Sequence, residues 1–93
     1  MYENDYASFV SRRIIEICIK RGDISIYELS KISGVKLSTI QNIVHCNTKN
    51  PGIQTIHKIA NGLNMTISEF LNCPEINKYE FKDEEIEEYV KNS

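Results

Sequence analysis

The sequence predicts an all-α fold: a compact bundle of five short helices followed by an acidic C-terminal extension. Three observations carry that prediction. Apolar residues recur at helical spacing, as in Val10, Ile14, Ile17 and Cys18. Two Ser/Thr-x-x-Glu boxes, Ser25 with Glu28 and Thr66 with Glu69, mark helix starts. Glycine and proline number only four and two in 93 residues, too few for the many turns of a β-sandwich.

Met1 to Asp5 is expected to be a short flexible lead. The first helix is expected from about Tyr6 to Arg21. Ile15 and Ile19 add a second apolar stripe to it, so burial on more than one side is expected. Lys20 and Arg21 suit the negative end of its dipole, and Gly22 suits the position just beyond it. Ser25 and Glu28 open the second helix, with Leu29 and Ile32 facing inward and Gly34 ending it. Val35 is expected to pack in the turn. The third helix runs from about Leu37 to His45, with Ile40, Ile43 and Val44 inward. Ser38, Thr39, Gln41, Asn42 and His45 are its polar remainder.

Cys46 to Gly52 reads as a loop by composition. A fourth helix from Ile53 to about Gly62 buries Ile56, Ile59 and Ala60, then Leu63. Thr66 and Glu69 open a short fifth helix with Ile67, Phe70 and Leu71, and Pro74 closes it. Ile86, Tyr89 and Val90 can line one face of a last helix starting near Asp83. The division is therefore a lead at 1–5, a domain at 6–73 and an acidic tail at 74–93.

The stretch from Ser25 to Ile43 contains two short amphipathic helices broken by a glycine. The sharp turn between them needs a residue that tolerates positive φ, which glycine does. This is the grammar of a helix-turn-helix, whose second helix enters the major groove of DNA.

Composition excludes several other classes. No apolar run approaches the length of a membrane span. No basic-then-apolar signal segment opens the chain, so a cytoplasmic protein is expected. Cys18, Cys46 and Cys73 are odd in number, and their separations of 28 and 27 fit no zinc pattern. They are expected to be free thiols in a reducing compartment, with Cys18 a small core residue. No catalytic triad, phosphate-cradling glycine loop or metal constellation is visible, so neither an enzyme nor a cofactor is expected. His57 reads as a surface residue.

Net charge is −2, which is unusual for a nucleic-acid binder. Residues 1–73 carry eight Lys/Arg against six Asp/Glu, a balance of +2. Residues 74–93 carry three against seven, a balance of −4. The acidity belongs to the tail, and the rest can present a basic face.

Three segments carry a family resemblance. Gly34-Val35-Lys36-Leu37-Ser38-Thr39-Ile40-Gln41-Asn42-Ile43 looks like a turn and recognition helix. Thr48-Lys49-Asn50-Pro51 looks like the loop before a fourth helix. Ile59 to Leu71 looks like an I-A-x-x-L-x-V-S-x-x-x-L-L ending. Together, over about Phe9 to Leu71, they resemble the Cro/repressor type of helix-turn-helix domain. That is the lambda-repressor-like family of phage repressors and small bacterial regulators.

The resemblance implies sequence-specific binding of double-stranded DNA by a transcriptional regulator of repressor type, acting as a homodimer. It places Leu37, Ser38 and Asn42 at base-reading positions. It places Lys36, His45 and the loop around Lys49 at phosphates. Thr39 and Gln41 share the same polar face. The chemistry agrees: Asn42 can pair bidentately with an adenine edge, and Leu37 can touch a thymine methyl. Lys36 stands at the positive end of helix three, where a DNA phosphate would offset the unfavourable charge. His45 can also be read as a surface residue at a helix C-terminus. Phe70, Leu71, Ile76, Tyr79 and Phe81 are candidates for pairing two monomers; folding back on their own domain is the alternative.

The chain departs from the family at Ile26, where Gln is common, at Leu37, where Gln or Arg is common, and at His45-Cys46, where Asn-Gly is common. These departures keep two other readings open. One is a protein-interaction module that retains the fold without DNA readout. The other is a DNA-binding antitoxin whose acidic tail holds a basic protein partner. Ile19 and Val44 replace a family Arg–Glu pair by two aliphatic side chains, and are expected to touch.

Overall fold

The computed structural model of the chain describes residues 5–48, 50–81 and 91. Helix α1 (Tyr6–Lys20) starts at Asp5, whose carboxylate accepts the Ser8 N–H at 2.9 Å. Asp5 is therefore a helix cap rather than the end of a lead. Val10, Ile14, Ile17 and Cys18 are buried. The second stripe expected on α1 is not: Ile15 is 41% and Ile19 59% exposed. Each lies one residue, about 100° of turn, from a buried neighbour, Ile14 or Cys18, and so points away from the core stripe.

Helices α2 (Ile26–Ser33) and α3 (Leu37–Val44) follow, then α4 (Ile53–Gly62) and α5 (Ile67–Phe70). Both expected capping boxes form. Ser25 Oγ accepts the Glu28 N–H and Glu28 Oε1 accepts the Ser25 N–H, each at 3.0 Å. Thr66 and Glu69 do the same at 3.0 and 2.9 Å. Leu29 of α2 is fully buried, but Ile32 lies half in solvent, against the expectation that it faces inward. Leu29, Ile40, Ile59, Ala60 and Phe70 have no exposed surface and form the centre of one core. Burying each large side chain among them stabilises the fold by about 1.5–3 kcal/mol.

Helix α5 ends at Phe70, ahead of Pro74, which was expected to close it. Pro74 is instead the first residue of a sixth helix, α6 (Pro74–Asn77), where its fixed φ and missing N–H cost nothing. Ile76 is buried against the domain. Tyr79 then packs on Tyr6 and Phe9, with ring centroids 5.2 and 6.2 Å apart, and Phe81 lies 5.8 Å from Tyr6. Packing thus continues to Phe81, eight residues past the expected boundary at Cys73. Arg13 fastens the other side of α5: its Nε and Nη2 donate to the Phe70 and Glu69 carbonyls at 2.7 and 2.8 Å.

No strand is present among the described residues. Cys18, Cys46 and Cys73 are free thiols. Burial of the Cys18 thiol raises its pKa above the ordinary value. Among the described residues no helix is long and apolar enough to cross a membrane. The last helix expected from near Asp83 lies outside the described residues.

Candidate nucleic-acid interface

The turn between α2 and α3 is closed by local bonds. Gly34 adopts φ +75° and its N–H donates to Ser30 O at 3.0 Å, ending α2. Ser30 Oγ donates to Val35 O at 2.7 Å, and Ser33 Oγ accepts the Val35 N–H at 3.2 Å. Val35 itself is buried, as expected for an apolar plug in the turn. The two serines were not singled out by sequence reasoning. Their signal is a pair of short hydroxyl side chains just before a glycine, which can bond turn backbone.

Helix α3 is held by Ile40, Ile43 and Val44, all buried. Its opposite face carries the side chains expected to meet DNA. Lys36, Ser38, Gln41, Asn42 and His45 are exposed, while Leu37 and Thr39 are half-buried at the edges. Lys36 is the N-cap and makes no side-chain cap bond, since an ammonium has no lone pair to offer. The first amides of α3 thus carry no side-chain acceptor at the positive end of the helix. Lys49 lies outside the described residues.

The four last carbonyls of α3 are all satisfied. Gln41 O accepts His45 N–H at 2.9 Å, and Ile43 O accepts Cys46 N–H at 3.1 Å. Asn42 O accepts both Asn47 and Thr48 N–H, at 2.8 and 3.3 Å, tying the start of the loop to the end of the helix. Val44 O accepts the Ser11 hydroxyl of α1 at 2.6 Å. The exposed amide of Asn42 thus projects from a last turn whose carbonyls are all bonded.

A charge feature also escaped the sequence reading. From Glu28 to Glu69 the chain has no intervening Asp or Glu, but has Lys31, Lys36, Lys49 and Lys58. The net charge of −2 conceals this carboxylate-free stretch, which contains the turn, all of α3 and all of α4. A segment without carboxylates brings no like-charge repulsion of its own to a phosphate backbone. No cluster of metal-ligating side chains occurs among the described residues, and His57 is exposed.

Of the residues expected to pair monomers, Phe70 is wholly buried and Ile76 is nearly so, both within their own chain. Neither can meet a second copy without leaving the core. Leu71 and Phe81 remain accessible. They line an apolar groove of about 290 Å³ with Tyr6, Pro51 and Ile53.

Comparison with protein families matches residues 13–75 to the Cro/C1-type HTH DNA-binding domain. Comparisons with curated proteins and with solved structures return no match. The family match covers more than half of the chain and includes both helices of the motif and the turn between them. The chain belongs to the Cro/C1-type helix-turn-helix DNA-binding family.

Proposed function

We propose that this protein is a sequence-specific regulator of transcription, of repressor type, that reads duplex DNA with α3. The observation that carries the reading is the outer face of α3. It presents neutral hydrogen-bonding side chains and Lys36, within a stretch free of carboxylates. Asn42 and Ser38 supply base readout, Leu37 offers apolar contact, and Lys36, His45 and Lys49 meet phosphates. Thr39 and Gln41 flank these contacts. Double-stranded DNA is the partner, and no cofactor is required.

An eight-residue helix reads only a few base pairs, so specificity calls for two copies on half-sites about one DNA turn, roughly 34 Å, apart. The groove lined by Ile53, Leu71 and Phe81 is the surface proposed for that pairing; Ile53 is 65% and Phe81 58% exposed. Tyr79 lies in the aromatic cluster beside it. Sedimentation of the full chain tests the pairing: a concentration-dependent dimer is expected, and a monomer throughout counts against it.

Selection from a pool of random duplexes at low salt tests the DNA reading. Enrichment of a common motif is expected. A pool that emerges unenriched favours the second reading, an interaction module. One observation supports that second reading: Ile15, Ile19, Tyr27 and Ile32 of α1 and α2 are exposed apolar side chains.

A further inference from the structure

We infer that Ser11 is a positioning residue for DNA readout, fixing the C-terminal turn of α3 against α1. The inference rests on the DNA-binding reading of α3 and adds a residue outside the helix-turn-helix.

Three of the four terminal carbonyls of α3 are satisfied by the amides that directly follow them in the chain. Those bonds shape the turn but do not locate it in the domain. The fourth, at Val44, takes its hydrogen bond from a residue 33 positions earlier. Ser11 is 4% exposed, in a helix whose inward positions are otherwise mostly apolar. A mid-helix serine is a poorer helix former than alanine, and its hydroxyl commonly bonds back to its own helix. Here it reaches across to α3 at 2.6 Å instead.

Asn42 lies less than one helical turn before Val44, and its own carbonyl anchors the loop amides of Asn47 and Thr48. A shift of the Val44 peptide therefore re-aims the Asn42 side chain and the loop together. Hydrogen bonds to base edges fall off steeply with angle and distance. Attraction to phosphates acts over about 8–10 Å and tolerates such shifts. Losing the Ser11 bond should cost discrimination between sequences rather than general affinity.

The test compares the full chain with Ser11→Ala and Ser11→Thr, at a temperature where circular dichroism shows all three folded. Binding is measured to a duplex selected by the wild type and to a scrambled duplex of equal length. Ser11→Ala should lose roughly tenfold in preference for the selected duplex, within the range one bidentate base contact discriminates. Its binding to the scrambled duplex and its salt dependence should not change. Ser11→Thr, which keeps the hydroxyl, should recover preference. Hydrogen exchange at the Asn47 and Thr48 amides should quicken in Ser11→Ala, a readout that does not depend on the rescue variant folding. An undiminished preference in Ser11→Ala, or an equal loss on both duplexes, overturns the inference. A wild type that prefers no duplex overturns the underlying DNA reading itself, and is told apart because the failure precedes any substitution.

Discussion

Gly62 of α4 lies directly against the backbone of Ser33 at the end of α2: a Cβ on Gly62 would stand 2.8 Å from Ser33 Cα and 3.0 Å from the Ile32 carbonyl group. Real Cβ atoms do not approach backbone so closely, so only glycine allows α2 and α4 to meet here. Alanine at this helical position would gain up to about 1 kcal/mol in propensity. Overpacking against rigid backbone costs about 1–3 kcal/mol. Gly62→Ala is therefore expected to lower stability despite its better helix propensity, measured as a lower midpoint in urea at unchanged slope.

Arg13 is a second point where one side chain joins distant segments. Its guanidinium bonds the Glu69 and Phe70 carbonyls and stands 5.9 Å from the Phe70 ring centre. Hydrogen bonds from a charged donor contribute about 1.5–3 kcal/mol. Lysine cannot reproduce the fork that meets two adjacent carbonyls. Arg13→Lys should therefore destabilise nearly as much as Arg13→Met. A lysine variant with wild-type thermal stability would show that the charge alone suffices.

The Cys18 thiol gives an alkaline prediction. Its folded pKa is raised by burial, so the folded state holds the proton where the unfolded chain releases it. That stability is fully present below the unfolded thiol value of 9.0 and is lost as pH rises through the folded value. Cys18→Ala should flatten the fall in stability above that pH, relative to the wild type, in parallel denaturation series. Equal slopes would show that the thiol is not what titrates.

Ile19 and Val44 line one apolar depression of about 250 Å³, shared with Ile24, Ile26 and Leu29; Ile19 is 59% and Val44 7% exposed. Val44→Glu should cost about 3–5 kcal/mol, since it strands a charge away from water. Ile19→Arg, at an exposed position, should stay within about 0.5 kcal/mol of wild type. The double variant should recover part of the loss. Additive effects in that cycle would show that the two positions do not interact.

The legible parts of this fold are local. A capping box such as Ser25 with Glu28 is complete within four residues, and the Gly34 turn is completed by its immediate neighbours. The bounds of α4 also followed from local pattern, from Ile53 to Gly62. Long-range relations left no such trace. Nothing near Arg13 or Ser11 announces partners 57 and 33 residues away. Periodicity marked Ile15, Ile19 and Ile32 as apolar but could not say which stripe would be covered. Pro74 suits the start of a helix as well as the end of one, so α6 was hidden behind a residue taken as a stop. At the candidate interface the polar face of α3 was visible from pattern and resemblance. The carboxylate-free stretch around it was masked by the acidic residues placed elsewhere.

Readout of base sequence by α3 is tested most directly by titrating the selected duplex, and its single-base-pair variants, with wild type, Asn42→Ala and Lys36→Ala across a range of salt. Asn42→Ala should relax preference at one base pair, costing about 1–3 kcal/mol on the selected duplex, with the salt slope unchanged. Lys36→Ala should weaken all duplexes alike and reduce the slope of log K against log salt by about 0.9, one phosphate contact. If Asn42→Ala leaves discrimination intact at every base pair while binding persists, α3 is not the element that reads the sequence.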